Sequence, residues 1–170
     1  TIKYSGPLEA GVSDGKGTLF VNLVDSGEIA QVDAKSLTVK NTFSAKPCQR
    51  GYGAAFDTAH RRLFVACQGA MPIGVVINAD TGKVVASMPI GNGSDGVAFD
   101  AGTGDVFFTC RDAGDGKSGV VNIFHEDSPD QYTRVADVKY FYGARTVALD
   151  PKTHHIFSVG TTKNDPVPPT

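Results

Sequence analysis

The 170-residue chain sets 16 Lys and Arg against 18 Asp and Glu, a formal net charge of −2, with 41% hydrophobic and 20% charged residues; this is the balance of a folded domain, not of a disordered segment. Its densest basic spots are pairs such as Arg61–Arg62, so the clustered cations that nucleic acid demands are missing and no nucleic acid partner is expected. No apolar run reaches the roughly 18 residues of a membrane-spanning helix, so no membrane insertion is expected.

In chain order, Thr1–Ser5 sits where the outer strand of a preceding unit would lie. A first unit over residues 9–45 reads as four strands, a to d: Ala10–Asp14, Thr18–Asn22, Glu28–Asp33 and Thr38–Phe43. A second, over 53–89, repeats the order with Gly53–Asp57, Leu63–Cys67, Gly74–Asn78 and Lys83–Met88, the last two joined by the turn Ala79-Asp80-Thr81-Gly82. The third, over 96–139, opens with Gly96–Asp100 and Val106–Cys110 and closes with Tyr132–Val138. A partial unit over 145–160 holds only Thr146–Asp150 and Ile156–Gly160, before the Pro-rich stretch Asn164–Thr170, which reads as an exposed loop.

The apolar pentad ending in Asp57 recurs ending in Asp100 and in Asp150, spacings of 43 and 50 residues. A four-stranded unit repeating at that period predicts an all-β propeller: three complete blades with partial blades at both ends. Several strands are continuous apolar runs instead of strict alternations, as expected where a sheet is covered on both faces by neighbouring blades.

These residues resemble the YVTN-repeat (YncE-like) β-propeller family over essentially the whole chain. The resemblance is carried by Val12–Gly17 with Leu19–Asn22, by Arg61–Val65, by Asp80–Ala86, by His125–Asp130 and by Gly143–His154. It implies a closed, usually seven-bladed ring, commonly exported in bacteria, in a family where few activities are settled. This chain is about half that size, so the rest of the ring is expected from the same polypeptide or from a second copy. It opens at Thr1 without Met or an apolar leader, so a secretory signal is expected to be absent from this chain, having been removed or lying upstream, with a periplasmic or extracellular location.

Antiparallel strands alternate direction, so the d-to-a and b-to-c connections emerge on one face of the propeller and the a-to-b and c-to-d turns on the other. The first set is the longer: Lys46–Tyr52, Gln68–Pro72, Gly91–Asp95, Arg111–Ser118 and Lys139–Arg145. Long loops on a rigid scaffold are where binding residues collect. Within them Arg50, Tyr52, Asp95, Arg111, Asp112, Tyr142 and Arg145 are the candidate ligand-binding residues, a mix of cations, acids and phenols suited to a small anionic molecule, a sugar or a peptide. Asp57, Asp100 and Asp150 recur because an aspartate before a tight turn bonds the amides two residues on. His60, His125, His154 and His155 read as solvated residues of turns and strand ends, and no zinc spacing links them. No metal ligand set, no cofactor and no catalytic residue is therefore assigned.

Cys67 and Cys110 occupy equivalent strand-b positions, and Cys48 lies in the loop entering the blade of Cys67. Pairing about the turn at residues 58–62 places Gly53 opposite Cys67, within reach of Cys48. A Cys48–Cys67 disulfide is the leading assignment and would fit an oxidising compartment; three buried thiols, or a three-thiolate metal site, are the alternatives. The function expected is an exported binding or scaffold propeller without chemistry of its own. A lactonase-like hydrolase or a propeller subunit of a redox enzyme is the alternative.

Overall fold

The computed structural model describes Tyr4 and residues 6–160, so the expected strand at residues 1–5 and the Pro-rich stretch lie outside the described residues. Among the described residues, fourteen strands follow one another in chain order. Blade 1 comprises β1 (Leu8–Ser13), β2 (Thr18–Leu23), β3 (Glu28–Asp33) and β4 (Thr38–Ser44). Blade 2 comprises β5 (Arg50–Asp57), β6 (Arg62–Gln68), β7 (Ile73–Asn78) and β8 (Val84–Pro89). Blade 3 comprises β9 (Asn92–Asp100), β10 (Asp105–Asp112), β11 (Ser118–Ser128) and β12 (Gln131–Phe141), and the hairpin of β13 (Ala148–Asp150) and β14 (His155–Phe157) begins a fourth. Each complete blade is an antiparallel meander with its strands in sequence order.

The run Arg62–Cys67 of β6 is buried residue by residue, whereas the outer strands β4 and β12 are largely exposed. A central strand of a central blade has neighbours on both edges and both faces, which is why its sequence does not alternate. The aromatic residues lock blade to blade. Phe20 of β2 stacks on Phe56 of β5 at 5.4 Å, and Phe64 of β6 meets Phe99 at 5.0 Å and the edge of Tyr132 at 5.7 Å. Phe20, Phe64 and Phe108 are fully buried, each contributing roughly 1.5–3 kcal/mol through removal of apolar surface from water.

The first strands of successive blades line up beside one another and approach closely through glycine. A Cβ on Gly53 would stand 2.6 Å from the Asp95 carbonyl, and one on Gly96 2.8 Å from the Arg145 carbonyl. Second strands add side-chain ties between blades: Asn22 Nδ2 donates to Tyr52 O at 2.8 Å between blades 1 and 2, and Thr109 Oγ1 donates to Arg145 O at 2.8 Å between blade 3 and the start of the fourth.

Several sequence expectations shift, among them the last hairpin, which shortens to Ala148–Asp150 and His155–Phe157. β5 and β9 begin at Arg50 and Asn92, upstream of the expected starts at Gly53 and Gly96, because a bulge in each lets the strand continue pairing past its glycines. The bulge also puts Gly51, not Gly53, opposite Cys67. Cys48 and Cys67 are disulfide-bonded, with Cα atoms 5.3 Å apart, and Cys110 is a free buried thiol.

Candidate functional site

The loop face is built from the connections β4–β5, β8–β9 and β12–β13, together with the β2–β3, β6–β7 and β10–β11 turns. Of the seven expected ligand residues, Arg50, Tyr52, Asp95, Arg111 and Asp112 stand on strand ends instead of in loops; only Tyr142 and Arg145 lie in a connection. Extended pairing of β5, β9 and β10 accounts for the difference, and it gives those side chains a rigid base.

The structure brings Asp95 and Arg145 together. Asp95 Oδ2 pairs with Arg145 Nε at 2.8 Å, and its Oδ1 accepts Gln68 Nε2 at 2.7 Å. Three successive blades thus meet in one polar chain along the inner rim, with Gln68 from β6, Asp95 from β9 and Arg145 from the connection to β13. Arg145 is half-exposed, so the pair is worth less than about 1 kcal/mol to stability and stays available to solvent. Arg50 lies with its guanidinium 5.6 Å from the Tyr52 ring. Arg111 runs across Gly93, where a Cβ would fall 2.3 Å from Arg111 Cδ. Neither Arg50 nor Arg111 has a carboxylate partner among the described residues.

Asp112 does different work. Its Oδ1 accepts Gly114 N at 2.8 Å and Gly116 N at 3.0 Å, and these backbone bonds, Gly114 first, hold its carboxyl below the usual range. It shapes the β10–β11 turn. Tyr142 is separate again: with Gly143, Val159 and Gly160 it lines a shallow cavity of about 310 Å³.

Sequence reasoning missed a polar groove on this face between blades 2 and 3. A cavity of about 310 Å³ opens where Gly91 of the β8–β9 connection meets Ala113 of the next turn, floored by Asn122, Arg134 and Asp137. Asn122 accepts Gly91 N at 2.8 Å and donates to Asp137 Oδ1 at 2.7 Å. Arg134 bonds Asp137 and the Pro89 carbonyl and lies 4.6 Å over the Phe124 ring. Cys110 sits beneath, Sγ 3.4 Å from Asn122 Oδ1, its thiol pushed up to about 11 by burial. Strand alternation alone would set Arg134 and Asp137 on opposite faces of β12; the register shift between Arg134 and Ala136 is what brings them together, and no sequence signal marks it. A third hollow, of about 600 Å³, lies at the β4–β5 connection beside Lys46, Cys48 and Gln49.

On the opposite face the recurring aspartates cap turns. Asp57 Oδ1 accepts Ala59 N, Asp100 Oδ1 accepts Gly102 N and Asp150 Oδ1 accepts Lys152 N, at 2.8, 2.9 and 3.0 Å. The histidines of this face are not simply solvated, as the sequence suggested. His60 Nδ1 lies 2.8 Å from Asp57, His125 Nδ1 3.0 Å from Asp105 and His154 Nδ1 2.7 Å from Asp100. Asp57, His60 and Glu126 each offer a ligand atom within 4.8 Å of the other two.

No family model matches the chain, and no curated protein matches it. Solved structures do. Kuenenia stuttgartiensis hydrazine synthase superposes with a TM-score of 0.76 at 15% identity, covering 91% of this chain and 42% of that one. The WD40 domain of Toxoplasma gondii coronin gives 0.70 at 14% identity over 89% and 39%. A Bacteroides uniformis protein provisionally named a 6-phosphogluconolactonase gives 0.63 at 12% over 79% and 40%. The chain therefore has the β-propeller fold, and it spans about two fifths of the length of the structures it matches. Propellers with such different names share the scaffold, so the fold is compatible with binding and with catalysis alike.

Proposed function

We propose that this chain is part of an exported, YncE-like β-propeller of the YVTN-repeat type that binds a ligand or protein through its loop face and performs no chemistry of its own. The observation that carries the reading is the pair of cations, Arg50 and Arg111, exposed on strand ends of that face without carboxylate partners among the described residues. With the Asp95–Arg145 pair beside them, they offer charge-assisted bonds to an anionic small molecule, an acidic sugar or a peptide carboxylate. Hydrolysis or redox chemistry would call for convergent acids, bases or nucleophiles on this face, whereas the histidines stand on the opposite one.

The Cys48–Cys67 disulfide supports a periplasmic or extracellular location. Completion of the ring, to seven blades with a further part of the polypeptide or with a second copy, is supported by apolar sheet faces at both edges. Leu8 and Val39 are exposed beside Val21 and Leu23 on blade 1, and Phe141 and Phe157 are exposed at the other edge. Isothermal titration of citrate, glucuronate and an acidic tetrapeptide into the full-length protein tests the reading. Saturable binding by one of these probes, weakened at least tenfold in Arg50→Ala/Arg111→Ala and by added salt, is expected. Binding indifferent to the double variant, or no binding by any probe, counts against it.

A further inference from the structure

Each strand-a aspartate of blades 2 to 4 is followed, four residues on, by a residue at positive φ: Arg61 at 56°, Gly104 at 77° and His154 at 60°. At two blade junctions this residue reaches back to the aspartate of the preceding blade. Arg61 Nη1 lies 3.5 Å from Asp14 Oδ2, and His154 Nδ1 lies 2.7 Å from Asp100 Oδ2. Between blades 2 and 3 the position is Gly104, which has no side chain to offer. Asp57 is met there by His60 of its own turn, and a second carboxylate arrives from β11, with Glu126 Oε1 3.5 Å from the same His60 Nδ1.

The cation that crosses this junction, Arg62 of β6, is engaged by Asp130 at 2.8 Å and by the Pro129 and His60 carbonyls, so Asp57 and Glu126 have only His60 between them. The Asp57 and Glu126 side chains are 2% and 5% exposed, and one imidazole nitrogen has a single hydrogen to share between them. Burial, and then the charge of Asp57, pushes the Glu126 carboxyl above its ordinary range.

We propose that Asp57 Oδ2, His60 Nδ1 and Glu126 Oε1 form a binding site for a divalent transition-metal cation of the zinc class, stapling blade 2 to blade 3. The three atoms lie within 4.8 Å of one another, two of the separations being 2.8 and 3.5 Å. Ligand atoms at roughly 2.0–2.2 Å in a tetrahedral zinc shell stand about 3.4 Å apart, so small side-chain shifts suffice. One imidazole nitrogen with two carboxylates suits zinc, whereas calcium and magnesium take about six or more oxygens. Two carboxylates around a dication also restore neutrality at a buried junction.

Supporting contacts are already in place. Asp57 is aimed by its bonds from Ala59 N and His60 N at 2.8 and 3.0 Å. Tyr132 Oη lies 2.9 Å from the Pro129 carbonyl and 3.2 Å from Glu126 Oε1 and has one hydrogen for the two; donated to Glu126, it is the kind of outer-shell contact that orients a metal ligand. His60 is half-exposed, which leaves water access for the fourth position. The site lies on the turn face, away from the loop-face cations, so the two readings stand or fall separately.

The test is isothermal titration of Zn²⁺ into the full-length, chelator-treated protein, with Co²⁺ absorption as a spectroscopic check. One Zn²⁺ site per chain is expected, weakened at least tenfold in Glu126→Gln and in His60→Gln, with the visible Co²⁺ bands lost in both. Zn²⁺ should raise the thermal midpoint of the wild type and leave that of Glu126→Gln unmoved. Should His60→Gln fail to fold, Asp57→Asn replaces it, since Asn keeps an oxygen for the Ala59 N bond and loses only the one from His60 N. Absence of saturable Zn²⁺ binding, or a site unaffected by Glu126→Gln, or one lost only with His125 or His154, overturns the proposal.

Discussion

Replacing Cys48 and Cys67 together by alanine removes the one covalent link within the described residues while leaving the surrounding fold intact. The bond joins the loop entering blade 2 to β6 across a sequence separation of 19. Closing a loop of about 20 residues restricts the unfolded chain by about 3 kcal/mol in the loop-entropy treatment. Both cysteines are buried in one cluster with Phe20, Leu63 and Val75, so alanine also forfeits some packing and the loss should be at least that large. For a chain of this size a change of 3 kcal/mol corresponds to a fall in thermal midpoint of roughly 6–12 °C. Urea denaturation followed by far-ultraviolet circular dichroism reads the difference directly. Thiol titration adds a second readout: the unreduced wild type should expose one reactive thiol, Cys110, and only on unfolding, since burial holds that thiol up to about 11. A double variant within about 1 kcal/mol of wild type would refute the loop-closure argument, and three reactive thiols would refute the bond itself.

Gly53→Ala should cost about 1–3 kcal/mol by overpacking, because its Cβ would meet the Asp95 carbonyl at 2.6 Å; unchanged urea stability would contradict the close approach of β5 and β9. Acid sensitivity should trace to Asp100. Burial works to raise its pKa, but the bond from Gly102 N and the His154 contact outweigh it and hold the carboxyl below 3.8. Such a group contributes stability that is complete above its unfolded pKa and is lost as pH falls through the lowered native value. Asp100→Asn should therefore flatten the loss of stability below about pH 4, and an unaltered acid slope in urea midpoints would contradict it.

The blades were legible because their boundaries are written in local chemistry. The Asp before each tight turn, the apolar run after it and the 43- and 50-residue spacings of Asp57, Asp100 and Asp150 are properties of neighbouring residues. What the sequence hid depends on packing between blades. Asn92-Gly93-Ser94-Asp95 has the composition of a loop, yet it pairs with Cys110 and Asp112 through a bulge. Asp95 and Arg145 were both named as candidates from their position, but their contact joins residues 50 apart on successive blades. His60 and Glu126 lie 66 residues apart, and no spacing rule connects a turn of one blade with the hairpin of the next. Asp112, chosen as a ligand group, also commits its Oδ1 to the backbone of its own turn.

Ligand binding at the loop face, as proposed, is tested most directly by hydrogen exchange read by mass spectrometry. The full-length protein is compared with and without the tightest of the anionic probes. Slowed exchange confined to residues 46–52, 90–95, 111–118 and 139–145 is the predicted result; slowed exchange at the turns of residues 58–61 and 101–104, with those segments unchanged, would contradict it.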